Sequence, residues 1–224
     1  MSRTILITGG AGFVGSAIAL HWKARHPGDR VIAFDNLKRR GSELNLPRLK
    51  AAGIIFTHGD VRSLPDLMAV PRIDALVECS AEPSVLAGYG GDARYVVDTN
   101  LLGTVNCLEL VARDKADILF LSTSRVYPIA TINGSCMEVG GRFAIDPDAH
   151  VPGASEHGIS EDFPLHGVRS LYGTTKLASE LLIAEQAAVH GFRWVVNRCG
   201  VIAGPWQMGK TDQGFVLLWL ARHQ

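Results

Sequence analysis

Thr8-Gly9-Gly10-Ala11-Gly12-Phe13-Val14-Gly15-Ser16 is the stretch on which the fold turns. Before it lies Arg3-Thr4-Ile5-Leu6-Ile7-Thr8, which reads as a buried strand, and after it Phe13 to Arg25 is helix-like. Glycines at 9, 12 and 15 permit a tight turn, close backbone approach to a pyrophosphate, and close packing of the helix on the strand. A helix beginning there offers free N–H groups and a positive dipole end to phosphates. Glycine-rich turns also serve packing alone, so the flanks carry the reading. Asp35 closes the second strand, Arg30–Asp35. A carboxylate at that point can accept hydrogen bonds from adenosine ribose hydroxyls and repels a 2′-phosphate. The stretch predicts a dinucleotide site for NAD rather than NADP. Lys38-Arg39-Arg40 close behind could take a phosphate or stand as a solvated basic loop.

Working outward, further strands are predicted at 54–57, 73–77, 118–122 and 194–196, with helices over 92–113 and 172–190. Continuously apolar strands indicate a parallel sheet covered on both faces. Their alternation with helices predicts an α/β fold, a doubly wound, Rossmann-type parallel sheet with right-handed crossovers. Residues 128–170, rich in Gly and Pro, show no sustained periodicity and read as an irregular functional or mobile insertion. Phe215–Leu220 is strongly apolar.

Apolar residues make up 47% of the 224 and charged residues 20%, which excludes a disordered or disulfide-scaffolded chain. Lys and Arg (22) balance Asp and Glu (22), leaving no basic excess for nucleic acid or anionic membrane. No apolar run approaches the roughly 18 residues of a membrane span. Met1-Ser2-Arg3-Thr4 runs into a strand without a leader's apolar core, so the expected location is cytoplasmic. Cys79, Cys107, Cys136 and Cys199 show neither disulfide spacing nor a CxxC motif. His150, His157 and His166, with Asp146, Asp148 and Glu156, match no standard ligand pattern and read as surface residues, so no metal is expected.

Tyr172-Gly173-Thr174-Thr175-Lys176 opens the 172–190 helix, and a spacing of four sets Tyr172 and Lys176 on one face. Tyrosine is a poor base at its reference pKa of about 10; a neighbouring ammonium and an oxidised nicotinamide would lower it. The lysine could also hydrogen-bond the nicotinamide ribose. Ser122-Thr123-Ser124-Arg125 places hydroxyls at a strand's C-terminal end, where doubly wound sheets put their ligands. The spacing alone would be weak; the three features in this chain order carry the inference.

These residues resemble the extended short-chain dehydrogenase/reductase family, specifically its nucleotide-sugar epimerases and dehydratases. The likeness runs through Thr8–Ser16, Phe34-Asp35-Asn36-Leu37, His58-Gly59-Asp60-Val61, Asn100 with Gly103-Thr104, Ser122-Thr123 with Val126-Tyr127, Tyr172–Lys176, and Arg198 with Gly204-Pro205. A narrower likeness, to CDP-sugar 2-epimerases, rests on Asp35-Asn36-Leu37 with Arg39-Arg40-Gly41, the 128–170 insertion and Asp212-Gln213-Gly214.

The resemblance implies catalytic roles for Thr123, Tyr172 and Lys176. It implies a cofactor site from Gly9, Gly12, Phe13, Val14, Gly15, Asp35, Asn36, Asp60, Val61, Ser80, Ala81 and Asn100, with Tyr172 and Lys176. Glu82, Ser124, Arg125, Trp206 and Gln207 are the candidate substrate-binding residues. The implied chemistry is hydride removal to NAD, a keto-sugar that turns over in the site, and hydride return to its other face.

The sequence also departs from the family pattern. Ser124-Arg125 stands where the family's 4,6-dehydratases carry Asp-Glu, so dehydration is not expected. Glu78-Cys79-Ser80-Ala81-Glu82 replaces His-Leu-Ala-Ala-Gln and brings two carboxylates toward the cofactor, and Pro128 replaces a glycine. The alternatives are a net sugar or carbonyl reductase or dehydrogenase, and a non-catalytic NAD-binding protein. The resemblance further implies a homodimer through the helices near 92–113 and 172–190. It implies one NAD-binding domain over 1–224 with only the start of a substrate lobe after about 200, the rest of that lobe being missing.

Overall fold

The computed structural model describes residues 2–209 and 213–223, so Asp212 of the narrower likeness lies outside the described residues. The chain runs β1 (Thr4–Thr8), α1 (Phe13–Arg25), β2 (Arg30–Asp35), α2 (Leu46–Ala51), β3 (Ile55–His58), α3 (Leu64–Met68) and β4 (Ala75–Glu78). It continues through α4 (Ala93–Val97), α5 (Gly103–Asp114) and β5 (Asp117–Thr123). The insertion holds α6 (Ile129–Gly134) and two hairpins, β6 (Cys136–Val139) with β7 (Arg142–Ile145), and β8 (Ala154–Ser155) with β9 (Gly158–Ile159). Then come α7 (Leu171–His190), β10 (Trp194–Cys199) and α8 (Phe215–Arg222).

Six strands form one parallel sheet in the order β10-β5-β4-β1-β2-β3. Ile5, Leu6 and Ile7 of β1 are all fully buried because successive side chains meet different layers. Leu6 joins Ile32, Phe34, Leu76, Ile118 and Phe120 against Leu67, Leu108, Val111 and Ile183 of α3, α5 and α7. Ile5 and Ile7 join Val31, Ala33 and Val77 against Ala19 of α1 and Leu49 of α2. The strand order reverses between β1 and β4, and the crevice beyond their C-terminal ends is where such sheets bind ligands.

Two elements differ from the sequence reading. The helix expected over 92–113 is broken by a π turn at Asp98–Leu102, the kind of bulge that accompanies functional sites. The Asn100 carbonyl there accepts from the Thr104 hydroxyl at 2.9 Å and the Ser179 hydroxyl at 3.3 Å. The insertion, expected to be irregular, is partly regular. Gly140 (φ +59°) and Gly141 (φ +77°) make a two-residue turn that pairs β6 with β7. No helix among the described residues is long and apolar enough to cross a membrane.

Candidate active site

The glycine loop is built by close approach. Gly9 adopts φ +62°, and a Cβ there would stand 2.9 Å from the Cys79 carbonyl oxygen. A Cβ on Gly15 would run into the Gly9 carbonyl, so α1 lies directly on the loop. Gly10 N–H donates to the Phe34 carbonyl at 3.1 Å and Gly12 N–H to the Gly9 carbonyl at 3.0 Å. No side chain caps α1 at Gly12, which leaves its first-turn N–H groups for a ligand.

Asp35 supports the loop as well as facing the cavity. Its Oδ2 accepts from Ala11 N–H at 3.1 Å and its Oδ1 from Leu37 N–H at 2.8 Å, while burial pushes its carboxyl above the usual range. Asn45 Nδ2 donates to the Ala11 carbonyl at 2.9 Å from the other side. Asp60 is held by the Arg62 guanidinium at 2.6 Å and by Asn36 at 2.9 Å, which keep it well below the carboxylate range. The basic trio is partly committed. Lys38 Nζ lies 3.3 Å from the Tyr95 ring centroid. Arg39 donates to the Met208 carbonyl at 2.7 Å and to Gln213 Oε1 at 2.9 Å. Arg48 lies 4.0 Å over the Trp206 ring, so two arginines tie the chain after β10 to the β2 side of the site.

At the other end, Ser170 caps α7 by accepting from Gly173 N–H at 3.0 Å. A Cβ on Gly173 would collide with the Arg125 carbonyl, so the first turn of α7 rests on the turn after β5. That contact brings Tyr172 beside Thr123, whose hydroxyl accepts from Arg125 N–H at 3.2 Å. Burial pushes the Tyr172 phenol up, and the Thr123 hydroxyl and the Arg125 charge pull it back. Lys176 follows one turn later on the same helix. The lysine is 2% exposed, its ammonium 4.3 Å over the Phe120 ring, and burial lowers its pKa.

Behind this pair Ser122 donates to Glu180, which pairs with Arg198 at 2.8 Å; Arg198 also reaches the Tyr127 hydroxyl at 3.4 Å. Asn100 clamps the segment after β4. Its Oδ1 accepts from Glu82 N–H at 2.7 Å, and its Nδ2 donates to the Glu82 carbonyl at 3.1 Å and to Thr175 Oγ1 at 3.3 Å.

One cavity of about 770 Å³ joins these parts along the C-terminal edge of the sheet. Gly9, Gly12, Phe13, Val14, Gly15, Asp35, Asn36, Val61, Ser80, Ala81, Thr123, Tyr172 and Lys176 line it, as do Glu82, Arg125, Trp206 and Gln207. Asp60, Asn100 and Ser124 stand behind its wall. Tyr95, Asn45, Cys79 and Cys199 also line it and went unread in the sequence as site residues, and Arg39, read there as a phosphate or solvent-facing residue, lines it too. Cys199 had a usable signal, because it ends the strand paired with β5, opposite Thr123. Among the described residues no group of three or more His, Cys, Asp or Glu could hold a metal ion.

Residues 5–224 match the profile described as the NAD dependent epimerase/dehydratase family. The chain is 29% identical over 218 residues to CDP-paratose 2-epimerase of Salmonella typhi, covering 95% of this chain and 61% of that protein. It is 32% identical over 211 residues to dTDP-glucose 4,6-dehydratase of Streptomyces niveus, covering 91% and 55%. UDP-glucose 4-epimerase of Thermus thermophilus, solved in complex with NAD, superposes with a TM-score of 0.72 at 26% identity, over 96% of this chain and 61% of that one. The chain thus spans between half and two thirds of the length of these relatives. A profile that accounts for all but the first four residues establishes that this chain belongs to the NAD dependent epimerase/dehydratase family.

Proposed function

We propose that the chain binds NAD along the C-terminal edge of its sheet and inverts one hydroxyl-bearing carbon of a nucleotide-sugar. The observation that carries this reading is the convergence of Thr123, Tyr172 and Lys176 on the cavity that the glycine loop opens. The residues present fit the cofactor: a glycine cradle that a Cβ would fill, an uncapped start of α1 for a diphosphate, and Asp35 for an adenosine ribose. NAD is favoured over NADP because Lys38 lies on Tyr95 and Arg39 is held by Met208 and Gln213, beside an acidic Asp35.

NAD, when bound, supplies a ring that accepts a hydride and gives it back. Tyr172 takes the proton from the reacting sugar hydroxyl and returns it, and Thr123, beside Tyr172 on the cavity wall, holds the reacting oxygen. Lys176 hydrogen-bonds the nicotinamide ribose. Val61, Ser80 and Ala81 form the cofactor wall, supported by Asp60 and Asn100. Glu82, Arg125, Trp206 and Gln207 face the sugar, with Ser124 shaping the turn that presents Arg125. Ser124 and Arg125 bring no carboxylate to protonate a departing hydroxyl, which favours epimerisation over dehydration. Residues 1–224 act as the cofactor domain, the substrate lobe beginning after about residue 200, and two copies pair through the faces of 92–113 and 172–190.

The test is incubation with NAD⁺ and a panel of nucleotide-sugars, CDP-linked sugars first, with the sugar read by NMR. Wild type should yield an epimer with no net reduced nicotinamide. Tyr172→Phe should keep cofactor binding and lose turnover by about 100-fold or more. Unchanged turnover in Tyr172→Phe refutes the assigned acid/base. Retained NAD with every sugar unaltered leaves cofactor binding alone.

A further inference from the structure

Glu78 ends β4 one layer behind the cavity wall, and the site described above gives it no task. Parallel pairing sets it beside Thr8 of β1 and Phe120 of β5. Neighbouring side chains in paired strands share a sheet face about 4.8 Å apart. Phe120 is also the ring under the Lys176 ammonium, at 4.3 Å. Carboxyl and ammonium therefore occupy one dry compartment, at 0% and 2% exposure.

The walls of that compartment supply little else. Thr104 Oγ1 of α5 lies 2.8 Å from Glu78 Oε1, and the Ser179 hydroxyl of α7 lies 3.3 Å from Thr104 Oγ1. Among the described residues Glu78 Oε2 and the adjacent Thr8 Oγ1 are buried without a hydrogen-bond partner. Lys176 is faced by Glu78 at the end of β4 and Cys79 just after it, Cys107 from α5 and Cys199 from β10. Burial pushes the Cys79 thiol up to about 12 and raises Cys107 and Cys199 as well, so the thiols are neutral near neutrality.

We propose that Glu78 is a positioning residue, whose carboxylate is the counter-charge that keeps Lys176 an ammonium at the cavity wall. A buried ammonium without an opposite charge drifts toward the neutral amine, and one aromatic face compensates only partly. Burial pushes Glu78 up to about 7 against the pull of Lys176 and the Thr104 bond. The carboxyl therefore gains its charge as pH rises through neutrality. Below that range Lys176 stands without its counter-charge, and above it the pair is complete.

The consequence for turnover rests on the role given to Lys176 under Proposed function; the pairing itself does not. It is tested on the cofactor-free chain by ¹³C NMR of lysine labelled at Cε, with Lys176 assigned by loss of its signal in Lys176→Met. In Glu78→Gln the Lys176 titration midpoint should fall by about one pH unit or more, and Glu78→Asp should restore most of it. Reciprocally, the ¹³C carboxyl signal of Glu78 should titrate higher in Lys176→Met. An unmoved Lys176 midpoint in folded Glu78→Gln overturns the proposal. Should Glu78→Gln not fold, an unmoved Glu78 midpoint in Lys176→Met overturns it equally. A chain that binds no NAD sinks the proposed function and leaves these midpoints standing. A chain that binds NAD but shows unmoved midpoints sinks the pairing alone.

Discussion

At the scale of single residues, Gly15 is the position with the least freedom. Its missing Cβ is what lets α1 sit on the Gly9 carbonyl, and backbone cannot retreat as a side chain would. Gly15→Ala should cost about 1–3 kcal/mol of stability, the usual penalty for overpacking, and should weaken NAD binding with it. Urea denaturation and a cofactor titration measure the two effects; unchanged values for both would mean the loop can shift. The residues read from sequence were those with local signatures: glycines at fixed intervals, an acid at a strand end, and Tyr172 and Lys176 one turn apart. Asn45 and Tyr95 carry no such signature, and the basic trio that includes Arg39 pointed to phosphate or solvent rather than to the chain after β10. Asn45 matters because it meets Ala11, 34 positions earlier, and Arg39 because it meets Met208, 169 positions later. Such meetings are written in the fold, not in any window of sequence.

At the scale of elements, α7 is held on β5 and β10 by Ser122, Glu180 and Arg198. Side-chain exposures of 8% for Glu180 and 20% for Arg198 make this a pair that cannot be broken cheaply. Glu180→Ala should cost about 3–5 kcal/mol, because it leaves Arg198 without its partner. The Arg193–Asp117 pair, where Arg193 is 88% exposed, offers the internal contrast. Arg193→Ala should leave the urea midpoint near wild type, as surface pairs do. Equal losses in the two variants would refute a buried anchor under α7.

Strands and long helices were legible because an apolar run covered on both faces has no alternative reading. The π turn at 98–102 was not, since Val96, Leu101, Val105, Leu108 and Val111 keep helical spacing through it. The β6–β7 hairpin could have been read: Met137-Glu138-Val139 and Arg142-Phe143-Ala144 flank Gly140-Gly141, a hairpin signal hidden by the irregular composition around it.

At the scale of the whole molecule, two kinds of apolar surface remain in view. One lies on the α5 and α7 side, with Leu102 at 41%, Leu181 at 62% and Val189 at 73% exposure. The other lies on α8, with Phe215 at 45%, Trp219 at 61% and Leu220 at 57%. Exposed apolar patches of this kind mark contact surfaces. Light scattering should give about twice the 24.1 kDa of one chain. Leu181→Glu with Val189→Glu should return it to one chain, while Trp219→Gln should leave the mass of the pair intact. A 24.1 kDa wild type would refute the pairing, and a dimer lost only with Trp219→Gln would move its face to α8. The bond from Arg39 to Met208 and Gln213 has a consequence in time as well as in space. A chain leaving the ribosome exposes its glycine loop and Asp35 well before Met208 and Gln213, which line the same cavity. A nascent chain therefore carries its cradle before the far wall of the same cavity has been made.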